Sequence, residues 1–201
     1  MRNEELPKAS RGEGLAEEDS KFLLPDSPLK KISLTGPESA GKSILATQLA
    51  AHYGTAFVPE FAREYLVKNG PAYALPDLET IAHGQLAAED AMAAQATRLL
   101  FCDTDLLVIK IWAENAFGTC PAWVLAELNK PRYALTLLLA PDLPWMPDPL
   151  REHPDPAQRW HFYTLYRAEL RRRGWPFTEV SGLPAQRLAR AVAAVNALSP
   201  V

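Results

Sequence analysis

LTGPESAGKS, residues 34–43, decides the fold. Gly36, Gly41, Lys42 and Ser43 fill every fixed place of G-x-x-x-x-G-K-[ST], the phosphate-binding loop. The two glycines permit a turn tight enough for backbone N–H groups to point inward at phosphate oxygens. The lysine reaches the outer phosphates and the hydroxyl ligates Mg²⁺, so the loop implies ATP and a magnesium ion. Glu38, Ser39, Ala40 and Ile44 lie within or beside the loop and join the candidate nucleotide contacts. Outward from it, KKISLT is a short β-rich run and SILATQLAAHY carries apolar residues at helical spacing, which seats the motif between a strand and a helix.

Further strand-like runs at 56–58, 99–103, 133–140 and 176–180 follow the first at 31–35. Between and after them the apolar spacing predicts a helix from the loop to about Tyr53, then helices over 61–68, 78–97, 106–114, 122–128, 157–172 and 184–198. Such alternation predicts right-handed crossovers and a parallel sheet covered on both faces. The expected fold class is therefore α/β, a three-layer P-loop NTPase/kinase fold with a five-stranded parallel sheet and a helical lid at about 149–174. Ligands of these sheets gather at the carboxyl ends of the strands, so Glu60, Asp103, Asp105 and the segment after Ala140 should converge on the nucleotide.

The 201 residues, 48% of them hydrophobic, suffice for one good core. Residues 1–28 differ from the rest: they hold four basic and seven acidic residues without an apolar period, which accounts for the whole net charge of −3. They are expected to form a flexible extension before a kinase domain over 29–201. The absence of a signal-like segment or a long apolar run predicts a cytoplasmic protein with no membrane partner. The balanced charge of residues 29–201 argues against a nucleic-acid surface. Cys102, inside an apolar run, reads as a small buried residue, and Cys120 as a loop residue.

FCDTD, residues 101–105, ends a strand with two carboxylates, and either Asp103 or Asp105 could serve the metal while the other caps the following helix. Asp103 is the candidate for the metal and Asp105 for the cap. In VPEFAREY, residues 58–65, Glu60 could deprotonate an attacking hydroxyl or merely cap a helix. Arg63 could bind the acceptor or form a surface pair. The proline-rich PDLPWMPDP, residues 141–149, holds Trp145 and Asp148 on a stiff loop, where the indole could cover a flat cationic ring or pack as satellite core. Of the arginines that follow, Arg151 and Arg159 are the candidates for spreading positive charge over a transferring phosphoryl group.

Asn129-Lys130-Pro131-Arg132 lacks the Asp of a guanine-reading N-K-x-D, and FCDTD lacks the paired acid expected of a remodelling ATPase. A small-molecule kinase and a nucleotide-gated switch are the two readings left, and the acceptor-side carboxylate with nearby arginines favours the kinase.

KISLTGPESAGKS, VPEFAREYL, HGQ at 83–85, FCDTD and PWMPDPLR together closely resemble the ribosylnicotinamide kinase domain of the NadR family, over roughly residues 29–180. The resemblance implies transfer of the γ-phosphate of ATP to the 5′-hydroxyl of nicotinamide riboside. It also implies that Trp145 stacks on the nicotinamide ring. The family's nucleotidyltransferase and DNA-binding domains have no room in this sequence, and Asp148-Pro149 stands where the family commonly has Asp-Gly.

Overall fold

Short, nearly continuous apolar runs make the sheet. Strands β1 (Lys30–Thr35), β2 (Phe57–Val58), β3 (Leu99–Asp103), β4 (Leu135–Leu139) and β5 (Phe177–Val180) pair in parallel, in the order β2-β3-β1-β4-β5. Every residue of LLFCD in β3 and LTLLL in β4 is buried, as expected of strands covered on both faces. The computed structural model describes residues 29–198, so the expected extension over 1–28 lies outside the described residues. Among the described residues, no helix is long and apolar enough to cross a membrane.

The period-2 alternation of side chains divides the core in two. Leu135, Leu137 and Leu139 of β4, with Ile32 and Leu34 of β1, pack against helix α1 (Lys42–Tyr53) and the carboxyl-terminal helix of the described chain. Leu138 faces the other way, against the helices that cover the opposite side. These are α3 (Leu75–Ala93), α4 (Leu106–Phe117), α5 (Ala122–Glu127) and α6 (Pro156–Arg173), with the short α2 (Phe61–Asn69) packed beside α3. Helix α7 (Pro184–Asn196) closes the first face beside α1. The three-layer α/β reading therefore holds.

Local chemistry moves some boundaries from the expected ones. Helix α3 starts at Leu75, three residues early, because Pro76 suits a first turn and the Asp77 carboxylate accepts the Ala74 N–H at 2.7 Å. It ends at Ala93, four residues short of Thr97, whose N–H bonds the Thr55 hydroxyl as the chain turns into β3. Strand β4 starts only at Leu135, and Tyr133 instead donates its hydroxyl to the buried Glu89 carboxylate at 2.6 Å.

The expected lid over 149–174 is largely a core helix. Phe162, Tyr163, Tyr166 and Leu170 of α6 are buried, and its later arginines are tied down: Arg167 and Arg171 lie 3.8 Å from Glu179, and Arg172 and Arg173 bond Glu169. Only 141–155 forms a loop over the carboxyl edge of the sheet.

The HGQ stretch at 83–85 fastens α2 to α3. Gln85 accepts the Phe61 N–H at 2.9 Å, satisfying one of the first-turn donors of α2. A Cβ at Gly84 would sit 2.1 Å from the Phe61 ring. Gly84→Ala should displace Phe61 and cost about 1–3 kcal/mol; a denaturant midpoint equal to that of the unmodified chain would contradict this packing.

Candidate active site

The phosphate loop is a backbone structure first. Gly36 has φ +137°, and a Cβ there would lie 2.6 Å from the Leu139 carbonyl oxygen, so the loop can enter beside β4 only through glycine. Gly41 (φ +84°) and Ser39 (φ +55°) also take left-handed conformations, which turn successive N–H groups toward one side. Lys42 donates to the Gly36 and Pro37 carbonyls at 3.0 and 3.2 Å and lines the same cleft.

Two buried arginines hold this loop from behind. Arg159 of α6, 3% exposed, donates to the Glu38 and Ser39 carbonyls at 3.2 Å each and to Leu143 at 3.3 Å. Arg187 of α7, equally buried, donates to the carbonyls of Ala40, Ala140 and Gly182 at 2.7–2.8 Å and pairs with Asp142. Binding the carbonyls outward leaves the loop's N–H groups aimed inward. Arg159, a candidate for spreading charge over a transferring phosphoryl group, thus has four hydrogen bonds to backbone carbonyls of the phosphate loop and the loop after β4. Arg187 was not singled out in the sequence, where it is one more arginine on an amphipathic helix.

Asp105 takes the capping place expected of it. Asp105, 1% exposed, caps α4 by accepting from Leu107 and Val108 N–H at 3.0 and 3.2 Å. Thr104, between Asp103 and Asp105, takes φ +85°, a costly conformation for a β-branched residue, and this kink separates the directions of the two carboxylates. Asp103 is 2% exposed, and burial raises its pKa to about 6, with nearby Glu60 adding to the rise while Lys42 and the Ser43 hydroxyl oppose it. One of its oxygens, Oδ1, is buried without a hydrogen-bond partner. An orphaned carboxylate oxygen next to a serine hydroxyl fits a Mg²⁺ ion, which takes few protein ligands and keeps waters and phosphates as the rest.

Glu60 stands at the N-terminus of α2 and makes no capping bond, which leaves its carboxylate to the cleft it lines. Arg63, on the first turn of α2, also lines the cleft and pairs with Asp148 at 2.7 Å, tying α2 to the proline-rich loop. The Leu150 N–H, followed by that pair, holds Asp148 below the usual carboxylate range.

Trp145, to which the resemblance gives a stacking role, lies on the proline-rich loop after β4. It is absent from the cleft wall, and its ring carries the guanidinium groups of Arg151 and Arg159 at 5.9 and 5.7 Å. The indole's cationic partners come from the chain itself. Arg151 remains a cleft residue, bonded to the Met146 carbonyl, and Glu38 accepts the N–H groups of Glu152 and His153 at 3.0 Å, drawing the loop toward the phosphate loop.

The aromatic wall of the cleft was not foreseen: Tyr73, Trp112, Phe162 and Tyr166 line it, joined by Leu66 and Asn115. Phe162 and Tyr166 are one turn apart on α6, but Tyr73 comes from the connection between α2 and α3 and Trp112 from α4, and no spacing in the sequence links these three segments. The cleft holds about 240 Å³.

Residues 31–187 match the AAA domain family, and the chain belongs to it. Among curated proteins, it is 29% identical over 141 residues to the trifunctional NAD biosynthesis/regulator protein NadR of Escherichia coli strain K12, covering 68% of this chain and 34% of the relative. The corresponding protein of Salmonella typhimurium strain LT2 is 28% identical over 156 residues, covering 76% and 38%. The chain thus spans about a third of the length of the curated relatives it matches. Among solved structures, NadR in complex with NR superposes with a TM-score of 0.66 at 20% identity, over 86% of this chain and 52% of that one. Thymidylate kinase from Candida albicans gives 0.58 at 14% identity, over 86% and 94%. Deoxyadenosine kinase from M. mycoides gives 0.55 at 12%, over 83% and 99%. The fold is that of P-loop kinases, and the resemblance to NadR extends over most of the chain.

The buried Asp103 has a consequence for stability. Its pKa is raised on folding from 3.8 to about 6, so the folded state binds its proton more tightly and loses stability as pH rises through that window. The cost at pH 8 is ~3 kcal/mol. Asp103→Asn should therefore melt higher than the unmodified chain at pH 8 in chelator, and the gap should close below pH 4. A gap independent of pH would contradict the buried charge.

Proposed function

We propose that the chain is an ATP-dependent kinase that phosphorylates nicotinamide riboside to nicotinamide mononucleotide, in cytoplasmic NAD salvage. One observation carries the reading: the phosphate loop, the carboxylate of Glu60 and a wall of aromatic rings share a single cleft. A nucleoside needs that combination, with its ring on the apolar wall and its hydroxyl near a base and a γ-phosphate. The likeness to NadR, a NAD biosynthesis protein whose crystal structure is a complex with NR, supports the same acceptor.

In this reading Glu60 takes the proton of the acceptor's 5′-hydroxyl. The hydroxyl oxygen bonds the γ-phosphorus as the bond from that phosphorus to the oxygen bridging it to ADP breaks, and the electron pair leaves with ADP. Lys42 and Arg151 face the charge that spreads over the phosphoryl oxygens. Ser43 and Asp103 would hold the magnesium ion, which supplies further neutralisation of phosphate charge. The N–H groups of Glu38 to Ile44 orient the nucleotide.

A water-activating ATPase is disfavoured on a specific ground. The second acid of FCDTD, Asp105, is buried and bound to the amides of α4, so it has no freedom to activate water.

Incubation with nicotinamide riboside, ATP and Mg²⁺ should yield the mononucleotide, identified by its mass. Lys42→Ala and Glu60→Gln should each reduce turnover by on the order of 10²-fold or more. An unmodified riboside with the intact chain would overturn the assignment, and full turnover in Lys42→Ala would remove the phosphate loop's role.

A further inference from the structure

At the aromatic wall of the cleft, three side chains are wired together. The Trp112 Nε1–H donates to the Tyr73 hydroxyl oxygen at 2.7 Å, and the Tyr73 hydroxyl in turn lies 3.1 and 3.0 Å from the two oxygens of Glu152. Because the indole occupies the phenol's acceptor side, the phenol proton is directed at the carboxylate. The two rings meet edge to face, with centroids 4.7 Å apart. Tyr73 comes from the connection between α2 and α3, Trp112 from α4, and Glu152 from the loop after β4.

Glu152 is fixed at both ends. Its backbone N–H is held by Glu38 of the phosphate loop, and its carboxylate by Tyr73. Among the described residues, no lysine or arginine comes within 4.0 Å of that carboxylate, and the imidazole of His153 lies with its Nε2 4.0 Å away. The cationic side chains of the cleft are otherwise employed: Arg63 on Asp148, Arg151 on the Met146 carbonyl and the Trp145 ring, and Lys42 on the phosphate loop. An anchored carboxylate without a matching cation thus stands in the wall beside two aromatic rings. Rings whose faces attract cations and a free negative charge are the chemistry that recognises a planar organic cation.

We propose that Tyr73, Trp112 and Glu152 form a cation-selective ring subsite, and that Glu152 is the residue that selects a positively charged heterocyclic riboside over a neutral one. The subsite rests on the kinase reading for the acceptor's place in the cleft, but its selectivity is a binding property and needs no phosphoryl transfer. The Glu152 side chain is 46% exposed, so solvent screens its attraction, and selection should be of the order of 10-fold rather than thousands.

The test compares nicotinamide riboside with its 1,4-dihydro form, which carries the same sugar and carboxamide on an uncharged ring. Dissociation constants are measured by calorimetry without ATP, alongside steady-state constants with ATP and Mg²⁺. The intact chain should bind the cationic form about 10-fold more tightly. Glu152→Gln keeps an acceptor for the Tyr73 hydroxyl but removes the charge, and should collapse that ratio toward 1 through weaker binding of the cation. Glu152→Asp, which restores the charge on a shorter stem, should recover part of it. Equal affinity of the intact chain for both forms, no binding of either, or an unchanged ratio in Glu152→Gln would each overturn the proposal. Selective binding of the cation without any phosphorylated product would instead overturn the kinase reading and leave the subsite standing.

Discussion

The site depends on one constraint: the backbone of residues 36–43 must stay concave, and the bonds from Lys42 to the Gly36 and Pro37 carbonyls within it are joined by support from outside the loop. Gly36 provides the entry, pressed so close to the Leu139 carbonyl that no side chain fits. Arg159 and Arg187 provide the support, each buried and each gripping carbonyls on the outside of the turn. Carbonyls bound outward fix the peptide planes, and fixed planes fix where the N–H groups point. Preorganised dipoles of this kind need no rearrangement when charge develops, which is why such loops stabilise phosphoryl groups well.

That arrangement explains why helices α6 and α7 lie where they do. Each contributes a packed face to the core and one arginine that reaches the loop. The two roles reinforce each other, because a guanidinium can satisfy several carbonyls only if its helix is held in register. Buried arginines are costly unless fully hydrogen-bonded, and the carbonyls of this loop supply the bonds.

The carboxylates show the opposite balance. Asp105 gives up chemistry for structure, with one oxygen shared among two amides and the Thr35 hydroxyl. Asp103, two residues away, is buried beside Lys42 and the Ser43 hydroxyl; each carboxylate keeps one buried oxygen without a hydrogen-bond partner, and what separates the two is the helix cap that engages the other oxygen of Asp105. The strained Thr104 lets one strand end supply both. A buried, partly unsatisfied carboxylate is destabilising in isolation, and such groups concentrate where a ligand completes them.

What the amino-acid sequence determined by itself was whatever local chemistry dictates. The spacing of Gly36, Gly41, Lys42 and Ser43 defined the loop, continuous apolar runs such as LLFCD and LTLLL defined buried strands, and the strand–helix alternation defined a parallel sheet. Asp105 as a cap was legible because capping acts within three residues. The tertiary structure alone decided everything that depends on which distant groups meet. Of the six arginines that follow the proline-rich loop, the sequence put Arg151 and Arg159 together as candidates, yet the fold buries Arg159 against the phosphate loop's carbonyls and leaves Arg151 in the cleft, while the other four pair with glutamates. That the Trp145 ring lies near two of the chain's own guanidinium groups was likewise not legible in the sequence. Tyr73, Trp112 and Glu152 gave no signal, since 39 residues separate the first pair and 79 the outer one. Hydrogen bonds across such separations are created by packing, and packing is a property of the whole fold.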